Sequence, residues 1–119
     1  MRNLNKEKRE NFLRRQKRTR AKIKGTSKKP RLSVFRSLKN ISVQAIDDIN
    51  KKTLISASNK ELKKKKGNKI EIASLVGELM GQKLKEKNIN KAIFDKGAYK
   101  YHGRVKSLAD GIRKMKINF

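Results

Sequence analysis

The chain contains no cysteine and no tryptophan, and it has a single histidine and a single proline among 119 residues. Without cysteine, a disulfide framework and a thiolate metal site are both excluded. One histidine, His102, cannot build a histidine metal cluster or a two-histidine relay. The sequence also lacks a phosphate-binding Gly-rich loop and a nucleophile elbow. We therefore expect no metal, no cofactor, no small-molecule substrate and no enzymatic activity.

Long apolar stretches are missing as well. No run approaches the roughly 20 apolar residues that are needed to cross a bilayer. The first residues also lack the apolar stretch of a secretory signal. The sequence therefore predicts a cytoplasmic protein without a membrane partner.

Acidic residues are scarce, with 10 Asp and Glu against 35 Lys and Arg, which leaves a formal net charge of +25. A compact chain with so much charge of one sign repels itself. Placing the basic groups along phosphates and releasing their counterions relieves that repulsion. Nucleic acid is therefore the first partner to expect.

The basic residues are densest at the N-terminus, where residues 2–24 include 11 Lys and Arg and few large apolar side chains. A helix is possible there, but like charges four residues apart oppose it, so we expect it to fray or be disordered until phosphates neutralise it. Residues 1–29 are predicted to be a basic RNA-binding arm and linker, with Gly25 as a helix stop. Its candidate RNA contacts are Arg9, Arg14, Arg15, Arg18, Arg20 and Lys22.

Apolar and polar residues alternate between residues 31 and 57, which is typical of half-buried strands. Short turns at 38–40 and 48–51 separate three such segments and predict an antiparallel meander. One face of this sheet is apolar and needs a cover. The other face presents Ser, Gln, Arg and one Phe. The adjacent carboxylates Asp47 and Asp48 are interpreted as turn residues, with a metal-binding pair as the alternative.

The pattern changes to helical spacing after Asn68, and a second helical segment follows residue 104. A short apolar segment at 91–95 is predicted to complete the sheet, and residues 60–66 are predicted to be a solvated loop. The fold class is therefore α/β (α+β): a mixed sheet of about four strands covered by two helices, with residues 30–119 as one globular RNA-binding domain. The expected buried positions are Ile72, Leu75, Val76 and Leu79 in the first helix and Val105, Leu108, Ala109 and Ile112 in the second.

The segment 94–105 mixes aromatic residues, cations and glycines. Tyr99, Tyr101 and His102 could stack on bases or ribose, while neighbouring cations meet phosphates. Gly103 would open the last helix, whose N-terminus attracts phosphate. The alternative for either tyrosine alone is a buried core residue.

Residues 31–37, with Ile41, Gln44 and Ala45 nearby, residues 94–105 and 108–111, and the terminal Phe119 closely resemble the family of bacterial large-subunit ribosomal protein eighteen. The resemblance covers most of residues 30–119. It implies a protein that binds 5S rRNA and helps to attach it to 23S rRNA in the central protuberance of the large ribosomal subunit. The implied neighbours are large-subunit ribosomal protein five and other central-protuberance proteins.

Carried onto this chain, the resemblance places RNA contacts in the arm, in the sheet and in the loop that precedes the last helix. The candidate residues are Arg31, Arg36, Ser37, Lys39, Asn40 and Gln44 in the sheet, and Lys96, Tyr99, Lys100, Tyr101, His102, Gly103 and Arg104 in the loop. One alternative is a general nucleic-acid-compacting protein, which the arm alone would support. A ribonuclease-H-like nuclease is a further alternative, but it needs a metal-holding carboxylate cluster that the sequence does not reveal.

Overall fold

The computed structural model describes residues 4–20, 23–62 and 67–119. Their order along the chain is α1 (Leu4–Arg20), β1 (Arg31–Arg36), β2 (Ile41–Asp47), β3 (Lys52–Ser58), a 3-10 turn (Asn59–Glu61), α2 (Lys69–Glu86), β4 (Ile93–Asp95) and α3 (Arg104–Lys114). This matches the predicted order of elements. The predicted solvated loop lies partly outside the described residues, because 63–66 are not among them.

The four strands form one mixed sheet in the order β3-β2-β1-β4. The first three strands are the expected antiparallel meander, and β4 joins β1 in parallel after the chain has crossed through α2. The register opposes Val34 to Val43 and Val43 to Ala57, so the apolar residues of the meander share one face. The predicted α+β fold is therefore confirmed.

The helices α2 and α3 cover this apolar face. One core cluster joins Leu32 and Ile41 of the sheet to Met80 of α2 and to Leu108 and Ile112 of α3. All five side chains are fully buried or nearly so. The four residues that were expected to be buried in the last helix are indeed buried. The opposite face of the sheet is left to α1 and to solvent.

The predicted buried stripe of α2 is wrong in part, because Leu75 is exposed. The residues that α2 buries are Ala73, Val76, Gly77, Met80, Gly81 and Leu84. The stripe differs because α2 packs against α3 as well as against the sheet. The spacing of large apolar side chains says nothing about glycines, yet a Cβ atom at Gly77 would collide with the carbonyl oxygen of Leu108. A Cβ at Gly111 would collide in the same way with the carbonyl of Ser74.

The segment from Gly25 to Pro30 is attached to the sheet, although it was expected to be a linker. The Gly25 amide donates to the carboxylate of Asp48 at 2.7 Å, and the Asp48 amide donates back to the Gly25 carbonyl at 3.0 Å. Gly25 is buried with no room for a Cβ beside the backbone of Arg31 and Ile46. Because α1 ends at Arg20, Gly25 is not its stop residue.

An ion cluster lies next to this attachment. The Arg31 guanidinium donates to Asp48 at 3.0 Å through Nε and to Asp95 at 2.7 Å through Nη1. Arg31 and Asp95 are both buried, so the prediction that Arg31 contacts RNA does not agree with its placement. The bonds to Asp48 hold the pKa of Arg31 above its ordinary value and the pKa of Asp48 below its own.

Asp47 is a turn residue, as predicted. Its buried carboxylate accepts bonds from the amides of Ile49 and Asn50 and from the Asn50 side chain. The Asn50 side chain is the main reason that the pKa of Asp47 is lowered. Asp48 bonds to Arg31 instead, so the two adjacent carboxylates serve different partners and do not form a metal-binding pair.

Gly77→Ala and Gly111→Ala should each lower the free energy of unfolding by about 1–3 kcal/mol, because the added methyl meets backbone of the facing helix. This destabilisation should appear although Ala favours a helix over Gly by about 1 kcal/mol. Asp110→Ala is the matched control, since it also places Ala in one of the two helices but at an exposed position, where no new atom enters the helix contact. Urea denaturation measures the three variants. Equal stability of all three would contradict the close approach of the helices.

Asp48→Asn should lower the free energy of unfolding near pH 7 by about 1–3 kcal/mol, because Arg31 then keeps only Asp95 as a full ionic partner. A carboxyl group whose pKa is lower in the folded state than in the unfolded chain stabilises the fold above its unfolded pKa of about 3.8. That stabilisation disappears as the pH falls. The gap between variant and wild type should therefore shrink from about pH 5 to about pH 3.

Urea unfolding at several pH values measures that gap. Asp110→Asn removes an exposed carboxylate on α3 and should change little at any pH. A gap for Asp48→Asn that stays constant down to about pH 3 would contradict an ionic contribution.

Candidate RNA interface

The helix α1 lies against the domain through polar and aromatic contacts on one side. Phe12 packs edge-on against Tyr99, with ring centroids 5.6 Å apart. The Thr19 hydroxyl donates to the Gly97 carbonyl at 3.0 Å. Phe12, Gln16 and Thr19 are half-buried and lie at i, i+4 and i+7, which is one face of a helix. The arginines Arg9, Arg14, Arg15 and Arg18 are exposed on α1.

Tyr99 connects the loop 96–103 to the end of β1. Its hydroxyl donates to the Arg36 carbonyl and accepts from the Arg36 amide, both at 3.2 Å. The Arg36 guanidinium lies over the Tyr99 ring, 4.9 Å from its centroid. Tyr99 is half-buried: it packs against the core, as the alternative interpretation of this residue expected, and it also reaches the surface. The sequence-predicted residues Arg36 and Tyr99 are therefore brought together.

Arg104 holds the hairpin between β1 and β2. Its Nη1 donates to the Ser37 carbonyl at 2.7 Å and its Nη2 to the Asn40 carbonyl at 3.1 Å. Burial, followed by the nearby charge of Arg36, lowers the pKa of Arg104. The same hairpin is closed by the Ser37 hydroxyl, which accepts from the Asn40 amide. Arg104 thus positions Ser37 and Asn40 as well as adding charge.

Tyr101 points away from Tyr99 and joins a second aromatic group. It lies edge-on to Phe94 at 5.9 Å, and its hydroxyl accepts from Arg113 at 3.1 Å. Arg113 in turn lies over the ring of Phe119, 4.4 Å from the centroid. Tyr101 therefore packs with Phe94 and Arg113, whereas Tyr99 packs with Phe12 and Arg36, so the two tyrosines do not form one stacking surface.

Two clefts open around Arg36. The first, about 400 Å³, is lined by Arg36, Ser37, Leu38, Lys69, Tyr99 and Arg104. The second, about 390 Å³, is lined by Phe12, Arg15, Arg36, Ala98, Tyr99 and Lys100. Each cleft combines an aromatic ring with three cations, and no carboxylate is among the residues that line either one. A phosphate near an aromatic base or ribose fits this chemistry. We call this surface the Arg36 interface.

The remaining candidates lie around the Arg36 interface or outside it. Lys39, Gln44, Lys96, Lys100 and His102 are exposed, and Gly103 has φ of 57° at the start of α3, a conformation that favours glycine. Lys96 donates to the Tyr99 carbonyl at 3.4 Å. Arg20 is the last residue of α1, and Lys22 lies outside the described residues.

The residues of this region that were not predicted from the sequence as interface residues include Phe12, Gln16, Thr19, Leu38 and Lys69. The half-buried face of α1 consists of one aromatic and two polar residues. The sequence therefore shows no apolar periodicity from which the docking of α1 could be predicted. Lys69 is remote in sequence from the loop it approaches. A spacing of i, i+4 and i+7 among the few uncharged residues of the arm is the only signal that was available.

The structure also bears on two other possibilities, a metal site and a membrane-spanning helix. Within residues 4–20, 23–62 and 67–119, no three His, Asp or Glu side chains are grouped so that they could hold a metal ion. Over the same part of the chain, no helix has the length and apolar character required to cross a membrane.

Comparison with known proteins gives consistent matches. A family model described as ribosomal L18 of archaea, bacteria, mitochondria and chloroplasts matches residues 6–119. The large ribosomal subunit protein uL18 of Thermotoga petrophila is 51% identical over 116 residues, covering 94% of this chain and 95% of the relative. The protein of the same name from Clostridioides difficile is 49% identical over 114 residues, covering 92% and 93%. That of Brachyspira hyodysenteriae is 46% identical over 106 residues, covering 89% and 90%.

These relatives are named as proteins of the large ribosomal subunit of bacteria, which agrees with the expected structural role and not with an enzyme. The similarity confirms the predicted resemblance, the structural ribosomal role and the ribosomal location in the cytoplasm, and the nuclease alternative is not supported. Because the family model and the relatives span nearly the whole sequence, the chain belongs to the ribosomal L18 family.

Proposed function

We propose that this protein binds 5S rRNA through the Arg36 interface and helps to attach it to 23S rRNA in the central protuberance of the large subunit. The observation that carries the proposal is the meeting of three distant segments, α1, the end of β1 and the loop 96–103, around two clefts lined by cations and aromatic rings. Such a surface suits folded RNA, where phosphates and accessible bases lie close together.

The mechanism is structural. Arg15, Arg36 and Lys100 neutralise backbone phosphates. The ring of Tyr99 positions Arg36 because its guanidinium stacks on that ring. Because these contacts address phosphate and ribose more than base edges, the shape of the RNA decides binding more than its sequence. No covalent bond is made or broken.

A third basic cleft, separate from the Arg36 interface, supports the attachment to 23S rRNA. It has a volume of about 430 Å³ and is lined by Ser27, Lys28, Lys87, Asn88, Ile89, Asn90 and Lys91. Lys28 precedes β1 and Lys91 precedes the parallel strand β4, so this cleft lies at the start of β1 while Arg36 lies at its end. At about 3.3 Å per residue, the six residues of β1 separate the two basic regions by roughly 20 Å. Two RNA segments could therefore be held at once, with large-subunit ribosomal protein five and other central-protuberance proteins as neighbours.

The double variant Arg36→Gln with Lys100→Gln should weaken binding to 5S rRNA by about 30- to 150-fold, because it removes two hydrogen bonds to phosphate of about 1–1.5 kcal/mol each. The measurement is binding to labelled 5S rRNA with excess tRNA as competitor at two salt concentrations. The matched control is Lys52→Gln with Lys114→Gln, which removes the same charge from exposed positions away from the Arg36 interface.

Wild type and control should prefer 5S rRNA to tRNA at both salt concentrations, and the Arg36 and Lys100 variant should lose most of that preference. If tRNA competes equally with the wild type and all binding fades with salt, the chain acts as a general polycation and the proposal is wrong. Equal weakening in the two double variants would refute the Arg36 interface in particular.

Removal of residues 1–20 should reduce the salt dependence of 5S rRNA binding, with log K against log salt less steep by about 0.7–0.9 for each phosphate that the arm no longer neutralises. None of the described residues of α1 belongs to the core cluster, and Gly25 keeps its hydrogen bonds with Asp48, so the domain should stay folded. Circular dichroism and thermal unfolding check the fold. A slope that equals that of the wild type would contradict an RNA-binding role for the arm.

A further inference from the structure

The face of the sheet opposite α2 and α3 is mostly polar. The register places Asp95, Ser33, Gln44 and Ser56 in one row across all four strands. Phe35, Ser42 and Ser58 form the next row. Phe35 is the only aromatic residue in these rows, and it is 66% exposed, whereas an aromatic ring normally gains most when it is buried.

A cleft of about 250 Å³ opens beside Phe35, between this face and α1. Its lining consists of Gln16 from α1 and Ser33, Val34, Phe35, Ser42 and Gln44 from the sheet. Every lining side chain is uncharged, which contrasts with the three cations of each cleft at the Arg36 interface. An exposed ring surrounded by two amides and two hydroxyls is suited to a flat, polar-edged and neutral group.

We propose that this cleft, which we call the Phe35 cleft, takes one unstacked nucleotide base of the bound RNA, with Phe35 as the stacking residue. The base stacks on the exposed ring, because every base has a π-face that an aromatic side chain can cover. The amides of Gln16 and Gln44 can donate to and accept from the polar edge of the base. This inference rests on the proposed RNA-binding function and adds a base-binding element to it.

The residues around the two clefts favour a base in the Phe35 cleft and its phosphate in the adjacent cleft of the Arg36 interface. Arg15 and Arg36 line the second cleft of the Arg36 interface. Their neighbours in sequence, Gln16 and Phe35, line the Phe35 cleft. A nucleotide with its base in the Phe35 cleft would therefore have cations within reach of its phosphate. Phosphate itself would find no charged partner among the residues that line the Phe35 cleft.

The cleft depends on the docking of α1. Gln16 lies on the same half-buried face as Phe12 and Thr19, whose contacts with Tyr99 and Gly97 hold the helix against the domain. Removing those contacts removes one wall of the cleft. Base binding and arm docking are thus coupled, and each should strengthen the other.

Phe35→Trp tests the cleft directly, because the chain has no other tryptophan. The full-length variant is titrated with a single-stranded oligoadenylate of about eight nucleotides and with an abasic strand of the same length and phosphate number. Indole fluorescence should be strongly quenched by the oligoadenylate and hardly changed by the abasic strand. Ile49→Trp, at an exposed position in the turn between β2 and β3, is the control and should be quenched by neither.

Affinity provides the second measurement. Phe35→Ala should weaken binding of the oligoadenylate about tenfold and leave binding of the abasic strand unaffected, and Phe35→Tyr should restore the wild-type affinity. Because Phe35 is largely exposed, the melting temperature of each variant should match that of the wild type.

Equal quenching by the two strands, or unchanged oligoadenylate affinity for Phe35→Ala, would overturn the base-binding cleft. Either result would leave the proposed function standing if the wild type still selects 5S rRNA over tRNA. Absence of that selectivity in the wild type refutes the proposed function separately.

Discussion

The ion pair between Arg31 and Asp95 connects the sheet of the domain to the loop 96–103 and the Arg36 interface. Asp95 is the buried last residue of β4. It accepts a hydrogen bond from Arg31 at 2.7 Å and, through its other oxygen, one from the Gly97 amide at 2.8 Å. Gly97 in turn accepts the Thr19 hydroxyl of α1 through its carbonyl. A buried carboxylate with these partners fixes the start of the loop 96–103, because leaving either partner unpaired would be costly. These contacts therefore position the loop 96–103 and α1, which form two sides of the Arg36 interface.

Some of the few carboxylates of the chain are used for contacts within the fold, although the net charge is +25. Only 10 carboxylates face 35 cations, so most cations have no carboxylate to pair with. Several of the few carboxylates hold the fold: Asp47 closes a turn, Asp48 fastens the Gly25 segment, and Glu61 pairs with Lys83. No carboxylate is among the residues that line the clefts around Arg36, and in the proposed function the phosphates of RNA neutralise these cations.

The placement of two arginines shows the limits of interpreting basic residues by composition. Arg31 and Arg36 begin and end the same strand, and both were predicted to bind RNA. Arg31 is buried between two carboxylates that come from β4 and from the turn after β2. Arg36 is exposed and stacks on Tyr99. Nothing in the local sequence distinguishes them, because the partners that decide their roles are brought in by tertiary structure.

The sequence by itself determined the order of elements, the apolar face of the sheet, the buried stripe of α3 and the family, because local periodicity and the residues of the loop 99–105 contain that information. Only the tertiary structure decided that α2 would turn its glycines toward α3 and that α1 would lie against the uncovered face of the sheet. The physical reason is that close backbone contact and polar docking depend on the shape of the opposing surface. That surface exists only after residues distant in sequence have been packed together.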